Sequence, residues 1–199
     1  MESGTPLQGS GITTVPVDRA AIPLTCGRFL YLLAEPSDRW RDETIASMSP
    51  DKALILGLCL DSRVAATHDV ARMVVEALRR AGHVLPPFSE DLQLVITELI
   101  ANAHLHGNLR DIPPRDAPDA YFQRGISVSV ARENAQIRLV VSNQSPETVD
   151  SEQRRRTKEQ LTVRGDPAGG LGLKIVEGMG GRIVHSEDLS RWTVTFPLP

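Results

Sequence analysis

The feature that most constrains the fold is a pair of neighbouring segments in which apolar and polar residues alternate. Ile126, Val128 and Val130 are interleaved with serines, and residues 137–141 repeat the pattern with Ile, Leu and Val. Successive side chains of a strand point to opposite faces, so each segment predicts a strand with one apolar face. The four residues 132–135 between the segments are typical of a hairpin connection. Such a sheet needs a second layer of structure over its apolar face.

Two amphipathic helices are predicted to supply that layer. Apolar residues recur at helical spacing over residues 64–78, after the candidate N-cap pair Asp61 and Ser62, and this helix should stop near Gly82. A second helix is predicted to open at residues 89–92 and to end at Gly107 and Asn108.

The remaining elements complete the predicted fold class. We expect a strand at residues 53–60, a short helix at 171–177 and strands at 182–185 and 192–196. The order strand, helix, helix, strand, strand, helix, strand, strand predicts an α/β two-layer sandwich. Its sheet should be mixed and largely antiparallel, with helices on one face. We assign this domain to residues 51–199, and residues 1–50, with a short helix at 38–47, to an N-terminal arm that is either an interaction segment or a partly disordered tail.

Composition excludes several classes of function. The chain has 22 Lys and Arg against 25 Asp and Glu, a net charge of −3, so it lacks the positive excess of a dedicated nucleic-acid binder. No apolar stretch approaches the ~20 residues that a membrane span needs. The first residues do not resemble a signal peptide, and Cys26 and Cys59 have no metal-type spacing, so we expect free thiols and a cytoplasmic protein.

The strongest chemical pattern lies in the second helix. Glu98, Asn102 and His106 are four residues apart, so they project along one stripe beside the apolar face. A carboxylate can accept a proton from an attacking hydroxyl, and an amide oxygen is a hard ligand that suits Mg²⁺. The alternative is a solvated helix face with an accidental register. His104 and His106 are two residues apart and should face different directions, which disfavours a shared metal site.

Glycines precede the last predicted helix. Residues 169–172 read G-G-L-G, and glycine lets the unpaired amides of a helix start approach an anion. A phosphate would fit there, although an ordinary flexible loop has the same composition. The sequence has no G-x-x-x-x-G-K-[ST], so a P-loop is excluded.

Three segments in this order resemble the nucleotide motifs of the GHKL ATPase superfamily. They are E-L-I-A-N-A-H-L-H-G at 98–107, V-S-N-Q-S-P-E-T-V-D at 141–150 and G-G-L-G-L-K-I-V at 169–176. The resemblance covers about residues 53–198 and is greatest to bacterial anti-sigma-factor serine kinases. It implies the Bergerat, or histidine kinase-like ATPase, fold, with ATP and Mg²⁺ as cofactors.

The resemblance also assigns roles to individual residues. Glu98 would be the general base that orients the acceptor hydroxyl, and Asn102 would hold Mg²⁺. Residues 150–169 would form a lid over ATP, where Arg154, Arg155 and Arg156 either touch phosphates or are merely solvated. The implied nucleotide contacts are Asn102, His106, Gly107, Asn143, Gly170, Leu171, Gly172, Leu173 and Thr193.

The sequence departs from the family pattern on the adenine side. The family's adenine-binding Asp and the following Gly are replaced by Asn143 and Ser145. An amide accepts a hydrogen bond without the charge that strengthens it. Trp192 stands where the family has Thr, which moves the threonine to position 193. The phosphate and metal half of the pocket is therefore predicted to be intact, and the base half altered.

Two functions follow from the resemblance. One is a regulatory serine/threonine kinase that binds a sigma factor or similar regulator and phosphorylates an antagonist, thereby controlling transcription. The alternative is a non-catalytic or weakly nucleotide-binding relative. It would act as a protein-binding or histidine-phosphotransfer module in two-component signalling, with a response-regulator-type partner. His68 is a weak candidate for the phosphorylation site of such a module. The short lid disfavours a sensor-kinase catalytic domain. The anti-sigma kinases are commonly dimers, so a homodimer is compatible with the resemblance.

Overall fold

The computed structural model describes residues 12–16, 28–33, 38–48, 53–67, 69–84, 88–144 and 171–198. Predictions about Cys26, His68 and the segment 145–170 lie outside these residues. The strands are β1 (Ile12–Pro16), β2 (Arg28–Leu33), β3 (Leu54–Asp61), β4 (Gly125–Glu133), β5 (Gln136–Asn143), β6 (Arg182–His185) and β7 (Arg191–Pro197). The helices are α1 (Asp38–Met48), α2 (Ser62–Thr67), α3 (Val70–Arg80), α4 (Phe88–Asn102), α5 (Asp119–Phe122) and α6 (Leu171–Gly178). Among the described helices, none has the length and apolar character to cross a bilayer.

The strands form one sheet in the order β1-β2-β3-β4-β5-β7-β6. The pairs β1-β2 and β2-β3 are parallel, and the other four pairs are antiparallel. The predicted mixed, largely antiparallel sheet is therefore confirmed, as is the hairpin of β4 and β5. Two strands that the sequence analysis did not predict, β1 and β2, extend the sheet from within residues 1–50. The predicted short helix there is α1.

One face of the sheet carries the core. Its side chains come from alternate positions of β3, β4, β5 and β7, and Ile126, Val128, Leu139, Val194 and Phe196 are each fully buried. Helices α3, α4 and α6 cover this face and contribute their own apolar residues to the same cluster. The serines that alternate with the core positions of β4 must then face the other side of the sheet.

The first predicted helix is divided into α2 and α3. The Asp61 carboxylate accepts a hydrogen bond from the Val64 N–H at 2.8 Å, and the Asp69 carboxylate accepts one from the Arg72 N–H at 3.0 Å. Each aspartate therefore caps the start of one helix. A second capping residue inside an apolar periodic segment explains why the single helix predicted from periodicity is broken there.

Helix α1 lies against the other face of the sheet, where it contacts β3 and β4. Its Trp40 indole packs directly on Gly125, the first residue of β4. A Cβ atom at Gly125 would lie 2.1 Å from the indole ring, so only glycine leaves room for this contact. The contact fixes α1 beside the end of β4 that also adjoins the candidate site.

Candidate functional site

Two polar side chains stand one turn apart on α4. Glu98 and Asn102 are half-buried, and their neighbours Val95 and Leu99 are fully buried in the core. Neither Glu98 nor Asn102 forms a side-chain hydrogen bond or ion pair with another residue of the described ranges. Buried polar groups bond either to water or to a protein partner. A carboxylate and an amide without one are therefore available to a ligand.

The helix changes its form after Asn102. Residues Ala103–Asn108 form a π-helical turn, and the Leu109 N–H donates to the His104 carbonyl at 2.8 Å. The chain then turns sharply, because Arg110 and Asp111 both have left-handed backbones, with φ of 55° and 60°. Single π turns inside α-helices occur frequently at functional sites. Here the wider turn brings Gly107 to the end of β5.

Gly107 lies in close contact with the Asn143 side chain. A Cβ atom at position 107 would lie 2.5 Å from Asn143 Cγ. Asn143 is 7% exposed and lies on the core face of β5, and its N–H donates to the Ser190 carbonyl at 2.8 Å. No other described residue forms a hydrogen bond with its side-chain amide. The structure thus brings together two predicted site residues that are 36 positions apart in the sequence.

Asn108 joins this end of α4 to the sheet, a role that the sequence analysis missed. The fully buried Asn108 side chain donates from Nδ2 to Ser62 Oγ at 2.7 Å and to the Arg124 and Gly125 carbonyls at 3.1 Å. The Arg124 guanidinium in turn donates to the Asn108 carbonyl at 2.6 Å, and it stacks on the Tyr121 ring. In the sequence, the one signal for this structural role is that Asn108 is a polar residue at the end of a predicted helix.

The two histidines of the motif have different surroundings. His106 is half-buried, and its Nδ1 contacts the Asp111 carboxylate. His104 is 6% exposed beside the Phe122 ring, and burial lowers the pKa of its imidazole, which favours the neutral form. That they share no metal site stays a prediction. Within the part of the chain that the structure describes, no three His, Cys, Asp or Glu side chains form a metal-binding group.

The third nucleotide motif, at residues 169–176, overlaps the start of α6. Leu171, Gly172 and Leu173 form its first turn, and α6 packs along α4. The start of α6 is therefore part of the helical layer that contains Glu98 and Asn102. Gly170, Ser145 and the segment with Arg154, Arg155 and Arg156 lie outside the described residues, so their assignments stay predictions.

The structure separates Thr193 from the other predicted contacts. Its neighbours Trp192 and Val194 face the core, so strand alternation turns Thr193 to the opposite face of the sheet. This face is remote from α4, and the assignment of Thr193 to the cofactor site is not supported. Trp192 occupies the core face, pairs across the strands with Val141 and donates from its indole N–H to the Leu189 carbonyl at 3.2 Å.

Comparison with known proteins places this geometry in a family. The sequence model of the histidine kinase-like ATPase domain matches residues 60–190. The chain belongs to this family. A search of curated proteins finds no match. The matched range of the histidine kinase-like ATPase domain contains α4, the π turn, β5 and the start of α6, and the family is of the GHKL type that the three motifs predicted.

The donor set of this ATPase domain fits a magnesium nucleotide. Asn102 offers a hard amide oxygen that no described residue occupies, which suits Mg²⁺. Glu98 offers a free carboxylate one turn earlier. Asn143 offers both a hydrogen-bond acceptor and a donor at the far end of the same side of the sheet.

Proposed function

We propose that this histidine kinase-like ATPase domain binds ATP with Mg²⁺ and transfers the γ-phosphoryl group to a serine or threonine of a protein antagonist. Its second partner would be a sigma factor or similar regulator, so that the kinase acts as a switch in transcription. The observation that carries the proposal is the half-buried pair Glu98 and Asn102, whose polar atoms have no partner in the described chain. The family membership supports the nucleotide, and the resemblance to anti-sigma-factor kinases supports the partners.

The proposed reaction divides the work between two side chains. The acceptor oxygen bonds to the γ-phosphorus while the bond to the bridging oxygen of ADP breaks. Glu98 accepts the hydroxyl proton as the oxygen attacks, a role that typically contributes ~10²–10⁴ in rate. Asn102 would hold the magnesium ion. When bound, Mg²⁺ neutralises charge on the phosphate oxygens.

The adenine side of the proposed pocket rests on Asn143. Its amide can accept a hydrogen bond from the exocyclic amine of adenine and donate one to a ring nitrogen, the pairing by which asparagine reads adenine elsewhere. Loss of the family's carboxylate therefore weakens base recognition without removing its geometry. Gly107 supports this role, because its missing Cβ leaves the space that the amide occupies.

A second function is favoured by Trp192. Its buried indole takes the place of the family's threonine on the core face, two residues along the paired strand from Asn143. A bulky side chain there reduces the room for a base. The alternative is therefore a protein-binding module that binds nucleotide weakly and transfers no phosphoryl group to serine. A variant of this alternative is a module that transfers a phosphoryl group by way of a histidine side chain.

Calorimetric titration of the full chain with ATP, in Mg²⁺ and in EDTA, tests the nucleotide site. We expect Mg²⁺ to tighten ATP binding, and Asn102→Ala to remove most of that difference. Thr97→Ala is the matched control, since Thr97 is an exposed residue of the same helix. Equal affinities in Mg²⁺ and EDTA for the unmodified chain would exclude the metal site.

Transfer of label from γ-³²P-ATP to proteins of the source organism distinguishes the two functions. A serine or threonine phosphoester survives acid, whereas phosphohistidine is hydrolysed. We expect acid-stable labelling of a small protein that depends on the added chain. Acid-labile labelling would support the phosphotransfer module and contradict the serine kinase.

A further inference from the structure

The face of the sheet opposite Glu98 and Asn143 contains a cleft beside the C-terminal end of α1. Its volume is about 50 Å³, several times the ~10–15 Å³ that one water needs. Strands β4, β5 and β7 form its floor and α1 its wall. Hydroxyl and guanidinium groups dominate the polar lining, which comprises Ser47, Ser127, Ser129, Ser142, Arg138 and Arg191.

Three of these residues lie in one row across the strands. Ser127 of β4 is paired with Ser142 of β5, and Ser142 is paired with Arg191 of β7. Directly opposed side chains in antiparallel strands have Cβ atoms ~4.5–5.5 Å apart. Two hydroxyls and one guanidinium are therefore close enough to contact a single small ligand.

The serine hydroxyls of this row form no hydrogen bond within the part of the chain that the structure describes. Ser127 is only 4% exposed, yet its hydroxyl forms no hydrogen bond with any described residue, and the same holds for Ser129 and Ser142. These hydroxyls are accessible from the cleft and are therefore open to a ligand that can accept or donate a hydrogen bond. Ser47 differs, because its hydroxyl donates to the Thr44 carbonyl at 2.7 Å.

The charge of the cleft has one sign. Among the described residues of the lining, both charged ones are arginines and none is a carboxylate. Arg138 forms an ion pair with Glu133 at 2.8 Å, whereas Arg191 forms no ion pair with another described residue. Guanidinium groups and hydroxyl donors together are the donor set that proteins use for phosphate oxygens.

We propose that this cleft binds a phosphate group, at a site separate from the proposed nucleotide site. The Arg191 guanidinium supplies the charge, and the Ser127 and Ser142 hydroxyls donate to the remaining oxygens. The bound group is either inorganic phosphate or the phosphate of a phosphorylated serine or threonine in a partner protein. The site does not depend on the kinase proposal, because its residues lie on the opposite face of the sheet.

Amide NMR of the full chain, titrated with inorganic phosphate, tests the site. Saturating ADP and Mg²⁺ block any binding of phosphate at the nucleotide site. A second titration without ADP and Mg²⁺ measures the same amide shifts, so the test also works if the chain binds no ADP. We expect saturable shifts at the amides of residues 127, 142 and 191, with at least tenfold weaker binding in Arg191→Gln. Arg182→Gln is the matched control, since Arg182 is an exposed arginine of the same face outside the lining. It should change the dissociation constant less than twofold.

Three results would overturn the proposal. They are the absence of saturable shifts, equal weakening by Arg191→Gln and Arg182→Gln, and the same shifts from sodium chloride at matched ionic strength. Ser127→Ala provides a second variant, and we expect it to weaken binding severalfold while the thermal unfolding midpoint stays near that of the unmodified chain. A phosphoserine peptide and its unphosphorylated form then distinguish the sources. Binding of the phosphopeptide at least tenfold tighter than inorganic phosphate assigns the site to a partner protein, and equal binding assigns it to the free ion.

Discussion

Replacement of Gly107 by alanine tests the contact that joins the two ends of the candidate site. The new Cβ would lie 2.5 Å from Asn143 Cγ and 2.7 Å from each polar atom of that amide. The lower limit of an ordinary contact is 3.4 Å, so the groups must separate by about 0.9 Å. The backbone is held on both sides, because the Asn143 N–H is bonded to Ser190 and the π turn is closed by the bond from Leu109 to His104, so the Asn143 amide itself must rotate away.

The magnitude follows from two opposing effects. Overpacking of a tight contact costs ~1–3 kcal/mol, whereas alanine in place of helical glycine contributes ~0.5–1 kcal/mol of stability. We therefore expect Gly107→Ala to lower the free energy of unfolding by roughly 0.5–2 kcal/mol, measured by urea denaturation. Gly178→Ala is the matched control. It also lies in a helix, but its Cβ would meet nothing within 4 Å, so this variant should be neutral or stabilised.

A double variant isolates the clash. Asn143→Ala removes the amide that the new Cβ strikes, so adding Gly107→Ala in that background should be neutral or stabilising. The coupling energy between the two changes is then about 1–3 kcal/mol. If Gly107→Ala costs the same in both backgrounds, the contact between Gly107 and Asn143 does not have the role that we give it.

Three further predictions concern Asn108, His104 and the adenine contact of Asn143. Asn108→Ala should destabilise the chain by ~2–3 kcal/mol in urea, because a fully buried amide that joins α4, α2 and β4 is lost; a cost under 0.5 kcal/mol would show that it is no structural link. Because burial lowers the pKa of His104 below its usual 6.5, the unfolded state takes up its proton first, so stability should fall as the pH drops below about 6.5. His104→Gln should reduce this dependence of the free energy of unfolding on pH. An unchanged dependence would show that other groups cause it. Asn143→Asp should strengthen ATP binding over GTP binding in calorimetry, and weaker ATP binding would exclude Asn143 as an adenine contact.

The sequence predicted those parts of the fold in which local pattern and tertiary structure agree. Strict alternation located β4 and β5, since each has one buried and one polar face. The strand β2 reads R-F-L-Y-L-L, an apolar run with no alternation, and periodicity cannot separate such a run from a buried helix. Asp69 broke the first helix because its side chain caps a helix start, a local bond that hydrophobic periodicity does not register.

The candidate site was predictable where helical spacing alone determines geometry. Glu98 and Asn102 lie one turn apart in a regular α-helix, so their proximity follows from the sequence. The contact between Gly107 and Asn143 depends on a π turn and on the position of β5, and neither has a signal in local composition. Thr193 differs, because the alternation of strand side chains places it on the face opposite Trp192 and Val194.

The central claim is that Glu98 acts on the attacking hydroxyl and does not hold the nucleotide. The most direct measurement compares single-turnover phosphoryl transfer and ATP affinity in the unmodified chain and in Glu98→Ala. We predict that transfer falls by at least ~10²-fold while the dissociation constant for ATP with Mg²⁺ changes less than about threefold. Transfer at the unmodified rate in Glu98→Ala, or loss of ATP binding in a variant that remains folded, would contradict the account.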